Sequence, residues 1–358
     1  MLGRALLLGL VALLGGSSAS TQVRLLPGPV SELAADGGRV AVLLRTKTGE
    51  CARDRVAVWA PQTRSFVPIG ASACVGSTST GAGLFGVALA GSRVAYVRFA
   101  GGNTRELQLR VATVARPRAV TVASASYGVG EQRGTYIGRV AGDGSLLAFD
   151  WWSECAPCAD SSPVAPRSSI FRVVSSGGST CPNAGLGALP RCRPVASVAG
   201  PLRLLDVGGG LVVTRTGDDV AVRSLDGTAV WSGTFAGLRA ARIDGHVMAV
   251  LVRVGTLSSL WTVDVSTGVR SGPWKLPAAT PAALRLEDYQ GGIAVYVVGR
   301  AVHLLRLAGE PNETIRAPGP GPVHAQLEPP GLFYSYRAAG GRSRVAFVPM
   351  TALLRRFR

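Results

Sequence analysis

Lysine is almost missing from this chain. Only Lys47 and Lys275 occur, so 36 of the 38 basic residues are arginine. Histidine is limited to three residues, aromatics to 6% and charged residues of both signs to 16%. Such little charge beside 47% hydrophobic content excludes a disordered chain. The formal net charge is +17, but the arginines are scattered one or two per apolar run, with Arg355-Arg356 the one dense pair. A nucleic-acid surface shows basic residues clustered or interleaved with aromatics, and neither pattern occurs; the charge reads as a basic solvated exterior, with an anionic ligand such as a cell-wall polymer or lipid head group as the alternative. No long segment keeps a three-to-four-residue apolar period, so helices are expected to be few. Beyond the first twenty residues every apolar run is broken by Gly, Arg or Asp within about eight residues, too short to span a bilayer.

What the chain does have is 47 glycines and 22 prolines among short β-branched runs. Residues 238–276 set the pattern, with strands predicted at 240–243, 247–252, 260–265 and 269–274. Their joints are Asp244-Gly245, Gly255-Thr256 and Ser266-Thr267-Gly268. A four-stranded meander cannot bury both faces alone and needs neighbours like itself. The second strand recurs after a Gly turn at 39–44 (RVAVLL), 93–98 (RVAYVR), 146–151 (LLAFDW), 211–216 (LVVTRT), 247–252 (VMAVLV), 293–298 (IAVYVV) and 332–337 (LFYSYR). A third strand answers each of them, at 55–60, 107–114, 169–174, 220–224, 260–265, 302–307 and 343–348. The expected fold is all-β: a β-propeller of seven blades, each of four antiparallel strands, formed as one domain over 20–358. The strand at 21–26 could join the last blade as its outer strand and close the ring, with the tail 351–358 (TALLRRFR) competing for that place.

Residues 141–149 (AGDGSLLAF) resemble the turn and second strand of WD-repeat-like propeller repeats of bacterial exported proteins, including the periplasmic propeller of the Tol system. Residues 220–231 (VAVRSLDGTAVW) and 260–268 (LWTVDVSTG) are similar to quinoprotein-type blades. The resemblance implies architecture over most of the chain and no activity, because the quinone-binding residues have no counterpart. Arginine dominance with abundant Ala, Gly, Val and Pro fits a GC-rich bacterial genome.

The first 19 residues (MLGRALLLGLVALLGGSSA) read as a signal peptide, with Arg4 ahead of an apolar run and small residues at the cleavage position near Ala19. The mature protein is therefore expected in the periplasm or outside the cell, as a monomer without membrane insertion. The six cysteines then read as disulfides. Propeller connections alternate between the two faces of the disc, which pairs Cys51 with Cys74, Cys155 with Cys158 and Cys181 with Cys192. The last four lie in an insertion of the third blade, about 153–192. A redox site at Cys155-Ala156-Pro157-Cys158 would need a helix that the Pro/Ser-rich sequence after Cys158 opposes. A zinc site would need a closer second pair.

Little else carries chemistry. Gly81-Ala82-Gly83-Leu84-Phe85-Gly86 matches a dinucleotide fingerprint but leads into strands, so it reads as a glycine-rich loop between blades. His246, His303 and His324 lack partners at metal-ligand spacing. Ser224-Leu225-Asp226-Gly227 reads as a β-turn. No catalytic residue, metal or cofactor is expected. The first functional reading is a non-enzymatic binding or scaffold propeller for a protein, peptide or envelope polymer, with Trp151, Trp152 and Glu154 as the candidate surface. The alternative is a glycan hydrolase or lyase using carboxylates such as Asp150, Glu154, Asp160, Asp218, Asp219, Glu287 and Asp288. Carboxylates converging at the channel mouth favour the enzyme; an arginine-lined mouth favours binding.

Overall fold

The structure is a computed structural model. It describes residues 20–357 except 49–50, 76–80, 130–132, 156–166, 175–193, 278, 281–282 and 308–311. The signal-peptide reading, Cys158, Cys181, Cys192, Asp160 and the Cys155 side chain lie outside the described residues.

Five antiparallel sheets have four strands each, and a sixth has eight. The eight-stranded sheet is two four-stranded halves joined through the single pair Gly134↔Tyr127, so the described strands make seven four-stranded units. Their first strands are Val30–Asp36, Gly83–Ala90, Arg133–Asp143, Arg203–Gly208, Leu238–Asp244, Leu284–Gln290 and His324–Glu328. Each lies beside the next, and the seventh returns to the first, so the units form a ring with these strands around its axis. The predicted second and third strands fall inside observed strands in all seven units, give or take a residue or two at the ends. The prototype unit is Leu238–Asp244, Val247–Val254, Leu257–Asp264 and Arg270–Lys275.

The near-continuous apolar runs have a simple cause. A second strand sits in the middle of a sheet that is covered on both faces by neighbouring sheets. In Leu146–Cys155, Leu147, Phe149 and Trp151 face the core shared with the second unit, while Leu146 and Ala148 face the core shared with the fourth. Three of the tight turns between first and second strands take positive φ at both central residues, which Gly37-Gly38, Gly209-Gly210 and Gly291-Gly292 provide at no steric cost. These turns define a turn face. The connections from second to third strands and from unit to unit define the opposite, loop face.

Ring closure falls to the N-terminal strand. Gln22–Leu26 pairs antiparallel with Ser343–Pro349 as the outer strand of the seventh unit. The tail does not compete, because Met350–Arg356 is a helix whose Leu353, with the following Phe357, packs into the core between the sixth and seventh units. Their i, i+4 spacing puts both on one helical face. Cys51 and Cys74 are disulfide-bonded as expected, with Cα atoms 5.8 Å apart, but they sit at the ends of adjacent strands rather than in loops. Likewise Gly83 and Gly86 belong to the first strand of the second unit, not to a loop, and Gly86 takes φ +67° where the register shifts.

Candidate functional site

The carboxylates were the first candidates for chemistry, and the structure gives most of them another task. Ten reach across a boundary to accept a backbone N–H of the next unit around the ring. On the turn face, Asp143 accepts from Gly209 at 3.0 Å, Asp244 from Gly291 at 2.7 Å and Glu328 from Gly37 at 3.3 Å, while Asp36 does the same for Gly91. Midway along the axis Glu32 accepts from Val87 at 2.7 Å, Asp206 from Ile243 at 3.0 Å and Asp288 from Leu327 at 2.7 Å. Nearer the loop face Asp54 accepts from Leu84 at 3.1 Å, Asp150 from Leu204 at 3.2 Å and Asp218 from Leu238 at 3.2 Å. An inner strand has no partner on its axial side, and these side chains satisfy N–H groups there that burial would otherwise leave unpaired. The boundary between the second and third units has no such carboxylate among the described residues. There Arg93 donates to the carbonyls of Val173 and Ser145, and the strand pair Gly134↔Tyr127 bridges the sheets.

Of the predicted catalytic candidates, Asp150, Asp218 and Asp288 are thus held by backbone N–H groups. Asp219 accepts from Thr234 at 2.5 Å, and Glu287 pairs with Arg285 at 2.6 Å. Burial pushes Asp150 up to about 6 and Asp288 up to about 7. Burial, with Asp288, Asp36 and Asp143 nearby, pushes Glu328 up to about 9. Arg139 is the axial cation. It keeps accessible surface yet is enclosed by the ring, and that enclosure, with Arg242 nearby, pulls it down to about 10. It borders a cavity of about 360 Å³ with Glu32 and His324. Burial lowers His324, whose Nε2 has no partner among the described residues. His303 stacks on Tyr296 and bonds Thr314 at 3.0 Å, and His246 is exposed. Among the described residues no group of three or more His, Cys, Asp or Glu is placed to hold a metal ion.

The tryptophan pair separates. Trp151 is fully buried in the core between the second and third units, so it is not part of a binding surface; strand alternation turns it inward. Trp152 points the other way and is half-buried. Its ring stacks on Tyr136 at 5.1 Å, Tyr136 stacks on Tyr127 at 4.7 Å, and the Arg203 guanidinium lies 3.9 Å from the Trp152 ring centre. The Trp152 indole N–H donates to the exposed Glu154 at 2.9 Å. With its ring sandwiched between Tyr136 and Arg203, Trp152 offers only an edge to a ligand.

The loop face between the fifth and sixth units carries what the sequence did not reveal. A cavity of about 350 Å³ is lined by Arg239, Arg242, Arg253 and Arg285 with Ser258, over a floor that includes Leu251, Leu284 and Leu286. Three of the four guanidiniums are fixed mainly by backbone carbonyls. Arg242 donates to Glu287 O at 2.7 Å and Ala241 O at 2.9 Å, and Arg253 to Gly255 O at 3.0 Å and Ala279 O at 2.9 Å. Arg285 donates to Val323 O and pairs with Glu287. Spread over 239–285, these arginines form no cluster in sequence. Arg239, Arg253 and Arg285 meet because they lie at the loop-face ends of neighbouring strands, and Arg242 reaches them from midway along its own strand.

No protein-family model matches the chain, and no curated protein matches it in sequence. Solved structures do match its fold. The acylaminoacyl peptidase of Pyrococcus horikoshii is similar over 88% of this chain with TM-score 0.53 and 11% identity; the chain spans 49% of that protein's length. An oligogalacturonate lyase in complex with manganese is similar over 94% of this chain and 100% of its own, with TM-score 0.53 and 11% identity. The β-propeller domain of the Trilobed protease from Pyrococcus furiosus is similar over 89% of this chain and 93% of its own, with TM-score 0.54 and 10% identity. At these identities the likeness shows the fold, and the chain is a β-propeller.

Proposed function

We propose that the protein is an exported, non-enzymatic propeller that binds a protein or peptide on its loop face. The observation that carries this reading is the division of charge. The carboxylates that an acid–base mechanism would need are committed as acceptors across unit boundaries, whereas the loop face presents the arginine-lined cavity. A glycosidase needs two carboxyl groups facing each other across an open cleft, free to exchange protons with substrate. Rigid sheets carrying short loops serve recognition without dedicated chemistry. Export is supported by the Cys51–Cys74 disulfide and by the similarity of residues 141–149 to exported bacterial propeller repeats. Among the described residues no helix is long and apolar enough to cross a membrane.

The test is a paired assay on the purified protein. Immobilised acidic and neutral peptides and polysaccharides are expected to show saturable, salt-sensitive binding to some member of the panel. The same polysaccharides, incubated and examined for new reducing ends or unsaturated products, are expected to remain intact. Product formation that disappears in Asp150→Asn or Asp288→Asn would overturn the reading. Export is tested by intact mass of the secreted protein, expected to begin near Ser20.

A further inference from the structure

We infer that the cavity between the fifth and sixth units receives an acidic side chain of an extended peptide that crosses the adjoining hairpin tip, with an aliphatic side chain of the same peptide resting on the far side of that tip. This rests on the binding role proposed above and narrows it to one site and one chemistry. Two independent observations point there.

The first is a set of charges held ready. The carbonyls that fix Arg242 and Arg253 are neutral, so they set geometry without cancelling charge; Arg242 also lies in the field of Asp206 and Asp288, whereas Arg253 has no such carboxylate among the described residues. Arg242 Nη2, Arg253 Nη2 and Arg285 Nη1 are left with no acceptor among the described residues, and exposed Arg239 makes no hydrogen bond there at all. Glu287, beside Arg285, is the one carboxylate paired with any of these four arginines among the described residues. Guanidiniums already ordered lose little entropy when a carboxylate arrives, and their planar forks match its two oxygens.

The second is apolar surface where a soluble hairpin tip would be polar. The turn Val254-Gly255-Thr256-Leu257 joins the strand that carries Arg253 to the strand that carries Ser258, and it exposes Val254 at 64% and Leu257 at 73% on the hairpin face opposite to those two residues. A ligand that crosses this tip meets ordered cations on one side and aliphatic side chains on the other, so it is acidic and apolar at nearby positions. Peptides alternate side chains of that kind, whereas an acidic polysaccharide supplies the charge without aliphatic groups for Val254 and Leu257.

The experiment uses the full-length mature protein and fluorescence anisotropy with three labelled probes: a peptide of alternating leucine and glutamate, its leucine–glutamine counterpart, and a uronic-acid oligosaccharide. The leucine–glutamate peptide is expected to bind at least about tenfold more tightly than either other probe. Arg239→Glu is expected to weaken it by about tenfold or more, and Leu257→Ser by about threefold, with unchanged thermal unfolding in both variants because each residue is exposed. Equal binding of the glutamine peptide, or no effect of Arg239→Glu, would overturn the site. Tighter binding of the oligosaccharide that Arg239→Glu abolishes would overturn the peptide assignment and leave the binding role standing. If no probe binds in this assay and none of the panel above binds, both proposals fall together.

Discussion

The Glu328 carboxylate accepts the Gly37 N–H at 3.3 Å, joining residues 291 positions apart across the seam between the last and first units. The same relation, a carboxylate to the N–H of a turn glycine one unit ahead, recurs from Asp36 to Gly91, Asp143 to Gly209 and Asp244 to Gly291. Units two, four and six carry Ala90, Gly208 and Gln290 at the equivalent position, so the acidic clamps alternate around the turn face except at the closing seam, where units seven and one both carry one. Glu328 is a buried member of this rim, and it sets the first prediction.

Glu328 is raised to about 9, mainly by burial and then by Asp288, Asp36 and Asp143. A carboxyl whose folded pKa lies above its unfolded value holds its proton more tightly in the folded state. Its contribution is therefore complete below about pH 4.5 and is lost as pH rises through the folded value. Asp288, at about 7, acts in the same direction. Thermal stability is expected to fall between pH 5 and pH 9 by an amount that Glu328→Gln reduces, since glutamine keeps an acceptor for Gly37 and carries no charge. At pH 9 the variant should be the more stable by about 1 kcal/mol. Parallel pH dependence in both proteins would sink the idea.

Asp54 is buried, forms a two-point ion pair with Arg45 at 2.7 and 3.1 Å, and accepts the Leu84 N–H. Asp54→Ala leaves that N–H and the arginine unpaired and is expected to cost about 2 to 4 kcal/mol in urea unfolding. Arg45, whose side chain is 52% exposed, keeps water as an alternative, so Arg45→Ala should cost about 1 kcal/mol. Equal losses would show that the N–H contributes nothing.

The two adjacent tryptophans should answer oppositely to truncation. Trp151→Ala opens a cavity in a closed core and is expected to cost about 3 to 5 kcal/mol. Trp152→Ala removes stacking against Tyr136 and Arg203 and should cost about 1 to 2 kcal/mol, with a change in near-ultraviolet circular dichroism from the lost stack.

Reduction of the Cys51–Cys74 bridge releases a loop of 23-residue separation. On the chain-entropy account the loss is about 3 kcal/mol. Under oxidising conditions the double variant Cys51→Ser/Cys74→Ser should be less stable than the wild type by about this amount, and the difference between the two proteins should vanish in a reductant that opens every bridge.

How much of this was legible follows from where each residue finds its partner. The second and third strands announce themselves because their hydrogen bonds are local to one sheet and cover on both faces makes the inner ones near-continuous apolar runs, as in 211–216 and 293–298. The prediction that Cys51 faces Cys74 also held, because both lie within one unit. Trp151 and Trp152 were read as one surface, although in a strand neighbouring side chains part company. The clamps stayed hidden because their partners are backbone N–H groups one unit ahead, which leave no mark on side-chain spacing. An Asp or Glu at the end of each odd-numbered first strand was the available signal. The arginine cavity left none, because its lining is gathered from four strands of two units.

The closing strand has a consequence for how the ring holds together. Leu26 pairs with Ser343, so the strand that closes the ring cannot dock until both ends of the described chain are present. Until then the ring stays open at one seam, and neither Gly37 nor the outer edge of the seventh sheet has its partner. Six seams form between units that follow one another in the chain, whereas the seventh forms only when the far ends of the described chain meet, so a lesion at either end is felt at the other.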